Sequence, residues 1–208
     1  MTNEWMDEAE NVIVGCFKSV RPMLLKAFGN IDATFKSDKT IVTMLDDFVE
    51  TEIRKTLIAF APEVGIVGEE QGAEGDTETF WLVDPIDGTE NFVRGLTGTR
   101  NMVTLISDGQ IVMTVVYQFM TDDLFTARRG GGAFKNGQPV HVSDRPASHS
   151  FVELSCPLDK QENAKLLQAV RGLVGGYRVS GDWLKTIEGK IDVLLAYNTG
   201  GGDWDYAP

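Results

Sequence analysis

The sequence predicts a mixed α/β layered fold, on three observations. Two apolar stripes at helical spacing come first. A β-rich stretch interrupted by a tight-turn signal follows, and the remainder alternates helical and strand patterns. The first stripe, Val12, Cys16, Phe17, Val20 and Leu24, predicts a helix over Glu8–Phe28, which Pro22 should kink or end. Thr43 is placed to cap a second helix carrying Leu45, Phe48, Val49, Ile53 and Leu57, and Pro62 closes it.

Gly65-Ile66-Val67-Gly68 and Phe80-Trp81-Leu82-Val83 read as buried strands that each deliver carboxylates at their C-terminal ends. Between Met102 and Phe119, two β-rich runs flank Asp108-Gly109, a hairpin signal that fixes an antiparallel pair. Leu124–Ala127 is a third run, and Asn136-Gly137 marks another turn. Beyond Ser143 the pattern predicts a strand at Phe151–Ser155, a helix near Gln161–Arg171 and a strand at Ile191–Tyr197. The expectation is a single unit over 1–208 with halves at 1–142 and 143–208.

Composition excludes several classes of function. The chain carries 31 acidic against 19 basic side chains, a net charge of −12. Nucleic-acid backbones are held by clustered Lys and Arg, so a nucleic-acid partner is not expected, nor an anionic membrane surface. No apolar run approaches the roughly 18 residues of a membrane span, and the acidic start lacks a signal-peptide pattern. Cys16 and Cys156 have no metal-type spacing and read as buried or idle thiols in a reducing cytoplasm. His141 and His149 read as neutral loop residues.

The chemistry concentrates in Asp84-Pro85-Ile86-Asp87-Gly88-Thr89. Pro85 lacks an N–H and should stop the strand, and Gly88 permits a conformation or close approach that a side chain would block. Two carboxylates three residues apart on such a turn can face one point, with the Thr89 hydroxyl beside them. An Asp- and Gly-rich turn is common on its own. A covalent aspartyl-phosphate route of the haloacid-dehalogenase kind needs its nucleophilic Asp two positions before the second Asp, where this chain has Pro85.

Three further blocks join this one: Lys36 through Asp46, Gly68-Glu69-Glu70, and Trp204-Asp205-Tyr206-Ala207. In order and approximate spacing the four resemble the inositol monophosphatase superfamily: a Lys, an acidic loop and Thr-x-x-Asp, then Gly-Glu-Glu, Asp-Pro-Ile/Leu-Asp-Gly-Thr and Trp-Asp-x-Ala. The resemblance runs from the first helix to the last residue. It implies the layered αβαβα sandwich of inositol monophosphatases and fructose-1,6-bisphosphatases, and Mg²⁺-dependent hydrolysis of a small phosphate monoester. Lithium sensitivity and a homodimer are implied with it.

The resemblance assigns roles residue by residue. Glu69, Asp84 and the carbonyl of Ile86 would hold one Mg²⁺; Asp84, Asp87 and Asp205 a second, within a set of two or three ions for which Mn²⁺ could substitute. Hard oxygen donors suit Mg²⁺. Independently, two carboxylates about 4 Å apart repel by roughly 4 kcal/mol at an effective dielectric near 20, so converging acids call for cations. Thr89 with Asp46 would orient the attacking water, Glu69 and Glu70 would support it, and Lys36 would add positive charge. Substrate would meet Ile86, Asp87, the N–H groups of Gly88 and Thr89, and Asp205.

Arg178-Val179-Ser180-Gly181-Asp182-Trp183 stands where members often show Gly-Ser/Thr-Ala-Ala, and Asn198 or Asp203 falls where inositol-specific members place a Glu. Inositol phosphate, histidinol phosphate, fructose bisphosphate, other sugar phosphates and 3′-phosphoadenosine nucleotides all remain candidate substrates. The family usually continues past Trp-Asp-x-Ala, so this is a short member or a fragment. The alternative function is an idle relative serving as a phosphate-binding or protein-interaction module.

Overall fold

The structure, a computed structural model, describes residues 1–35, 41–155, 161–171, 174–179, 182–196 and 202–208. The chain divides into two compact units, Met1–Gly137 with Gly202–Pro208, and Gln138–Gly201. This boundary lies five positions before the expected 142/143, and the last seven residues go with the first unit, because their helix packs on a strand of that unit.

In the first unit, α1 (Asn3–Ala27) starts at Thr2, whose hydroxyl accepts the Trp5 N–H, and runs through Pro22 rather than ending there. A proline ring removes one internal hydrogen bond, a loss that the packing of Val20 and Leu24 offsets. Strands β1 (Thr34–Phe35) and β2 (Ile41–Val42) form a small antiparallel pair. Helix α2 (Met44–Phe60) begins at the expected cap Thr43. Its stripe buries Leu45, Val49, Ile53 and Leu57, whereas Phe48 is exposed.

Strands β3 (Gly65–Gly68), β4 (Gly72–Glu74) and β5 (Thr79–Asp87) come next, then α3 (Thr89–Arg94). β6 (Arg100–Ser107), β7 (Gln110–Gln118), β8 (Asp123–Arg128) and β9 (Gly132–Lys135) complete a sheet to which the first unit contributes seven strands, in the order β9-β8-β7-β6-β5-β3-β4. All neighbours pair antiparallel except β3 and β5, which are parallel. Asp108 and Gly109 both take positive φ, 51° and 66°, so the β6–β7 connection is the tight hairpin that the sequence signals. Helices α1 and α2 pack on each other and on β7 and β5. Their buried Ile13, Phe17, Leu24, Val49, Ile53 and Leu57 share one core with Trp81, Val83, Leu105, Val115 and Tyr117. Burying one such side chain contributes about 1.5–3 kcal/mol.

The second unit opens with β10 (Gln138–Pro139) and continues through a 3-10 turn at Ala147–His149 to β11 (Phe151–Ser155), α4 (Gln161–Arg171) and β12 (Gly176–Val179). α5 (Leu184–Ile187) and β13 (Val193–Ala196) follow. β12 and β13 flank β11 in a parallel three-stranded sheet. β11 and α4 match the sequence reading. β12 carries Gly and Arg in only four residues and gave no recognisable period. Asp192 anchors this unit: its carboxylate takes the Phe151 N–H and pairs with Arg145 and Ser143. The chain re-enters the first unit through α6 (Asp203–Tyr206). Among the described residues, no helix is long and apolar enough to cross a membrane.

Candidate active site

β5 does not stop at Pro85; it bulges. Asp84 pairs with Met102 and Asp87 with Arg100, so Pro85 and Ile86 together face the single residue Asn101. In a regular strand, residues three apart point to opposite faces. The extra residue restores Asp84 and Asp87 to one face. The bulge also frees main-chain oxygens from the ladder: Asn101 Nδ2 donates to Pro85 O at 2.6 Å, and Thr89 Oγ1 lies 2.9 Å from Ile86 O. Gly88 follows at φ 77°, with the Gly98 carbonyl 2.7 Å from where a Cβ would stand, so no side chain fits.

The parallel pairing of β3 with β5 matches Gly68 to Val83 and sets Glu69 beside Asp84, with the Glu69 N–H bonded to Val83 O at 3.1 Å. The turn after β3 rests on a residue the sequence reading passed over. Glu50 of α2 is fully buried; its carboxylate accepts the N–H groups of Glu70 (2.8 Å) and Gln71 (3.1 Å) and the Arg54 Nε (2.8 Å). The signal was there: Glu50 sits three and seven positions before Ile53 and Leu57, within the apolar stripe.

Asp46 serves two elements. One oxygen caps α2, accepting the Thr43 N–H (2.8 Å) and hydroxyl (2.6 Å), and the other lies 2.9 Å from Thr89 Oγ1. Asp205 sits in the first turn of α6, where Gly202 N–H donates to it at 2.6 Å, and α6 packs on β5. Asp84, Asp87 and Asp205 thereby each present a carboxylate oxygen within 4.8 Å of one another. Lys36 lies outside the described residues, as do Cys156 and Asn198. Cys16 is buried, as expected, and burial pushes its thiol up.

The electrostatics of this cluster are those of a cation site. Asp84 is 1% exposed, and among the described residues neither of its oxygens has a hydrogen-bond partner. Burial, and then the charges of Asp87, Glu69, Asp205 and Asp46, push its carboxyl well above the ordinary range. Burial also raises Asp46 and Asp205. A buried carboxylate without donors is unfavourable unless a cation meets it, and an all-oxygen set suits a hard divalent ion. Asp84, Asp87 and Asp205, whose oxygens converge, fit that requirement, and Glu69 lies near enough for its charge to act on Asp84.

Comparison with known proteins agrees. The inositol monophosphatase of Dictyostelium discoideum is 34% identical over 169 residues, 78% of this chain and 62% of that protein. A Nus factor SuhB of Xylella fastidiosa is 31% identical over 140 residues, covering 66% of this chain and 51% of that one. The chain thus spans about half to two thirds of the length of these curated relatives. The solved structure of the extragenic suppressor protein suhB from Bartonella henselae superposes with a TM-score of 0.84 at 30% identity, over 95% of this chain and 80% of that one, which gives the expected fold. Residues 5–208 match the model of the inositol monophosphatase family, and the chain belongs to that family.

Proposed function

We propose that this chain is a phosphoric monoester hydrolase that uses Mg²⁺, with Mn²⁺ as a possible substitute, on a small phosphorylated metabolite. The observation that carries the reading is Asp84: a buried carboxylate whose two oxygens have no hydrogen-bond partner among the described residues, amid four more acids, in a chain of this family. Bound divalent ions would activate water and offset charge on the phosphate.

The chain's own residues do the rest. The Thr89 hydroxyl has one proton and two acceptors at 2.9 Å, Asp46 Oδ1 and Ile86 O; with the proton on Asp46 its oxygen would accept from a water and fix the direction of attack. Asp46 is immobile because Thr43 holds its other oxygen. The N–H groups of Gly88 and Thr89, at the start of α3, would take phosphate oxygens. Glu69 and Glu70 would support the reacting water from the turn anchored by Glu50. The substrate itself stays open among inositol, sugar, histidinol and nucleotide phosphates. A homodimer in the cytoplasm and inhibition by lithium belong to the same proposal.

Phosphate release from a panel of monoesters, with and without Mg²⁺, tests it; undiminished hydrolysis after rigorous chelation overturns it. The kinship with Nus factor SuhB proteins favours one second reading, an interaction module without turnover. Metal binding with no hydrolysis of any monoester would support that reading instead.

A further inference from the structure

The bulge of β5 is held by side chains as well as by the ladder. Its far end is tied by an ion pair, Arg100 Nε lying 2.6 Å from Asp87 Oδ2. Asn101, the second residue of β6, stands alone opposite Pro85 and Ile86, and on its other side it pairs with Tyr117 of β7. Asparagine is depleted in strands, and an amide taken out of water is costly unless its polar atoms are met. Asn101 is 0% exposed and only half met: Nδ2 donates to Pro85 O at 2.6 Å, whereas Oδ1 has no hydrogen-bond partner among the described residues. A flipped amide would set two oxygens against each other, so the N–H is what faces Pro85. Leucine would fill the same outline with no orphaned oxygen of its own. What the amide adds is one donor, aimed at an oxygen that the extra residue of the bulge has taken out of register.

We propose that Asn101 is a positioning residue of the site. Its donor fixes the Pro85–Ile86 peptide plane, and that plane sets how Asp84 and Asp87, the residues flanking it, are turned toward one another. The pairing with Tyr117 anchors the donor itself, so the pin does not drift. Asn101 is too deeply buried to touch a substrate and acts only through β5. This inference rests on the metal-dependent reading above and deepens it: the angle between the carboxylates, and not their number alone, governs how tightly the site holds a divalent ion.

The test compares the native chain with Asn101→Leu and Asn101→Ala, by Mn²⁺ paramagnetic resonance and by melting in EDTA. The native chain and Asn101→Leu each leave one buried oxygen unmet, Oδ1 in the first and Pro85 O in the second. Their melting temperatures should therefore agree within about 4 °C. Mn²⁺ affinity should nevertheless fall by about tenfold or more in Asn101→Leu. Asn101→Ala opens space beside Pro85 O in which a water can replace the donor, so it should bind Mn²⁺ more tightly than Asn101→Leu although it melts lower. If Asn101 merely fills the sheet, the order reverses: Asn101→Leu binds Mn²⁺ as the native chain does, Asn101→Ala binds it more weakly, and the proposal fails. A parallel loss of affinity and melting temperature in Asn101→Leu overturns it too. Failure of the native chain to bind Mn²⁺ at all would bring down the metal-dependent reading as well, whereas native binding unaltered by Asn101→Leu sinks this inference alone.

Discussion

Thr89 and Asp46, 43 positions apart in sequence, meet with Oγ1 and Oδ1 2.9 Å apart, and the partner oxygen of Asp46 is already saturated by Thr43. The hydroxyl is therefore directed without being a carboxylate ligand. Thr89→Val should lower turnover by about 10²–10⁴-fold while metal affinity stays near native. Kinetics beside calorimetric Mg²⁺ titration checks this, and an equal loss in both would make Thr89 a structural prop.

Asp87 and Asp205 should behave in the opposite way. Their oxygens converge although the residues lie on β5 and α6. Changing either to Asn keeps the shape and removes a charge, so activity should fall by orders of magnitude, with partial recovery at saturating Mg²⁺. If Asp205→Asn leaves binding and turnover intact, that residue only caps α6.

Asp84 sets stability against function. Its folded-state pKa lies above the unfolded value of about 3.9, so the metal-free fold binds the proton more tightly than the unfolded chain does. That contribution is greatest below about pH 4 and declines as pH rises through the folded pKa. In EDTA near neutral pH, Asp84→Asn should raise the melting temperature by about 2–4 °C, the shift that about 1 kcal/mol produces in a chain of this size. The gain over native should shrink on acidification, and the variant should lose Mg²⁺ stabilisation. Melting curves across pH decide it.

Glu50 anchors the Glu69–Glu70 turn from beneath. Its Oε1 lies 2.0 Å from where a Cβ on Gly68 would stand, so Gly68→Ala should displace it. Glu50→Ala, which strips Arg54 of its buried partner and leaves it only the Gly72 carbonyl and the exposed Glu74, should cost about 3–5 kcal/mol in urea unfolding, and Glu50→Gln less.

The legible parts of the molecule were those with local causes. Thr43 capping α2, the Asp108-Gly109 hairpin and the β11 strand each follow from a few adjacent residues. The acids of the site were legible from the motif, but their meeting was not, because convergence depends on β3–β5 register and on α6 packing against β5. Pro85 was read as a strand end since a missing N–H looks the same at an end and at a bulge. Arg100 and Glu50 were missed for a related reason: a charged side chain announces solvent unless its burial is known.

The bulge has a consequence for how this site can be interrogated. The oxygen released at Ile86 belongs to the main chain, and the Ile86 side chain is itself a core residue, 1% exposed. Every replacement at that position would retain the oxygen and report only on packing. A mutational scan would rank Ile86 with the leucines and valines and remain blind to an oxygen proposed as a metal donor. Replacing the Ile86–Asp87 amide with an ester, which weakens that carbonyl as a donor, addresses the atom directly.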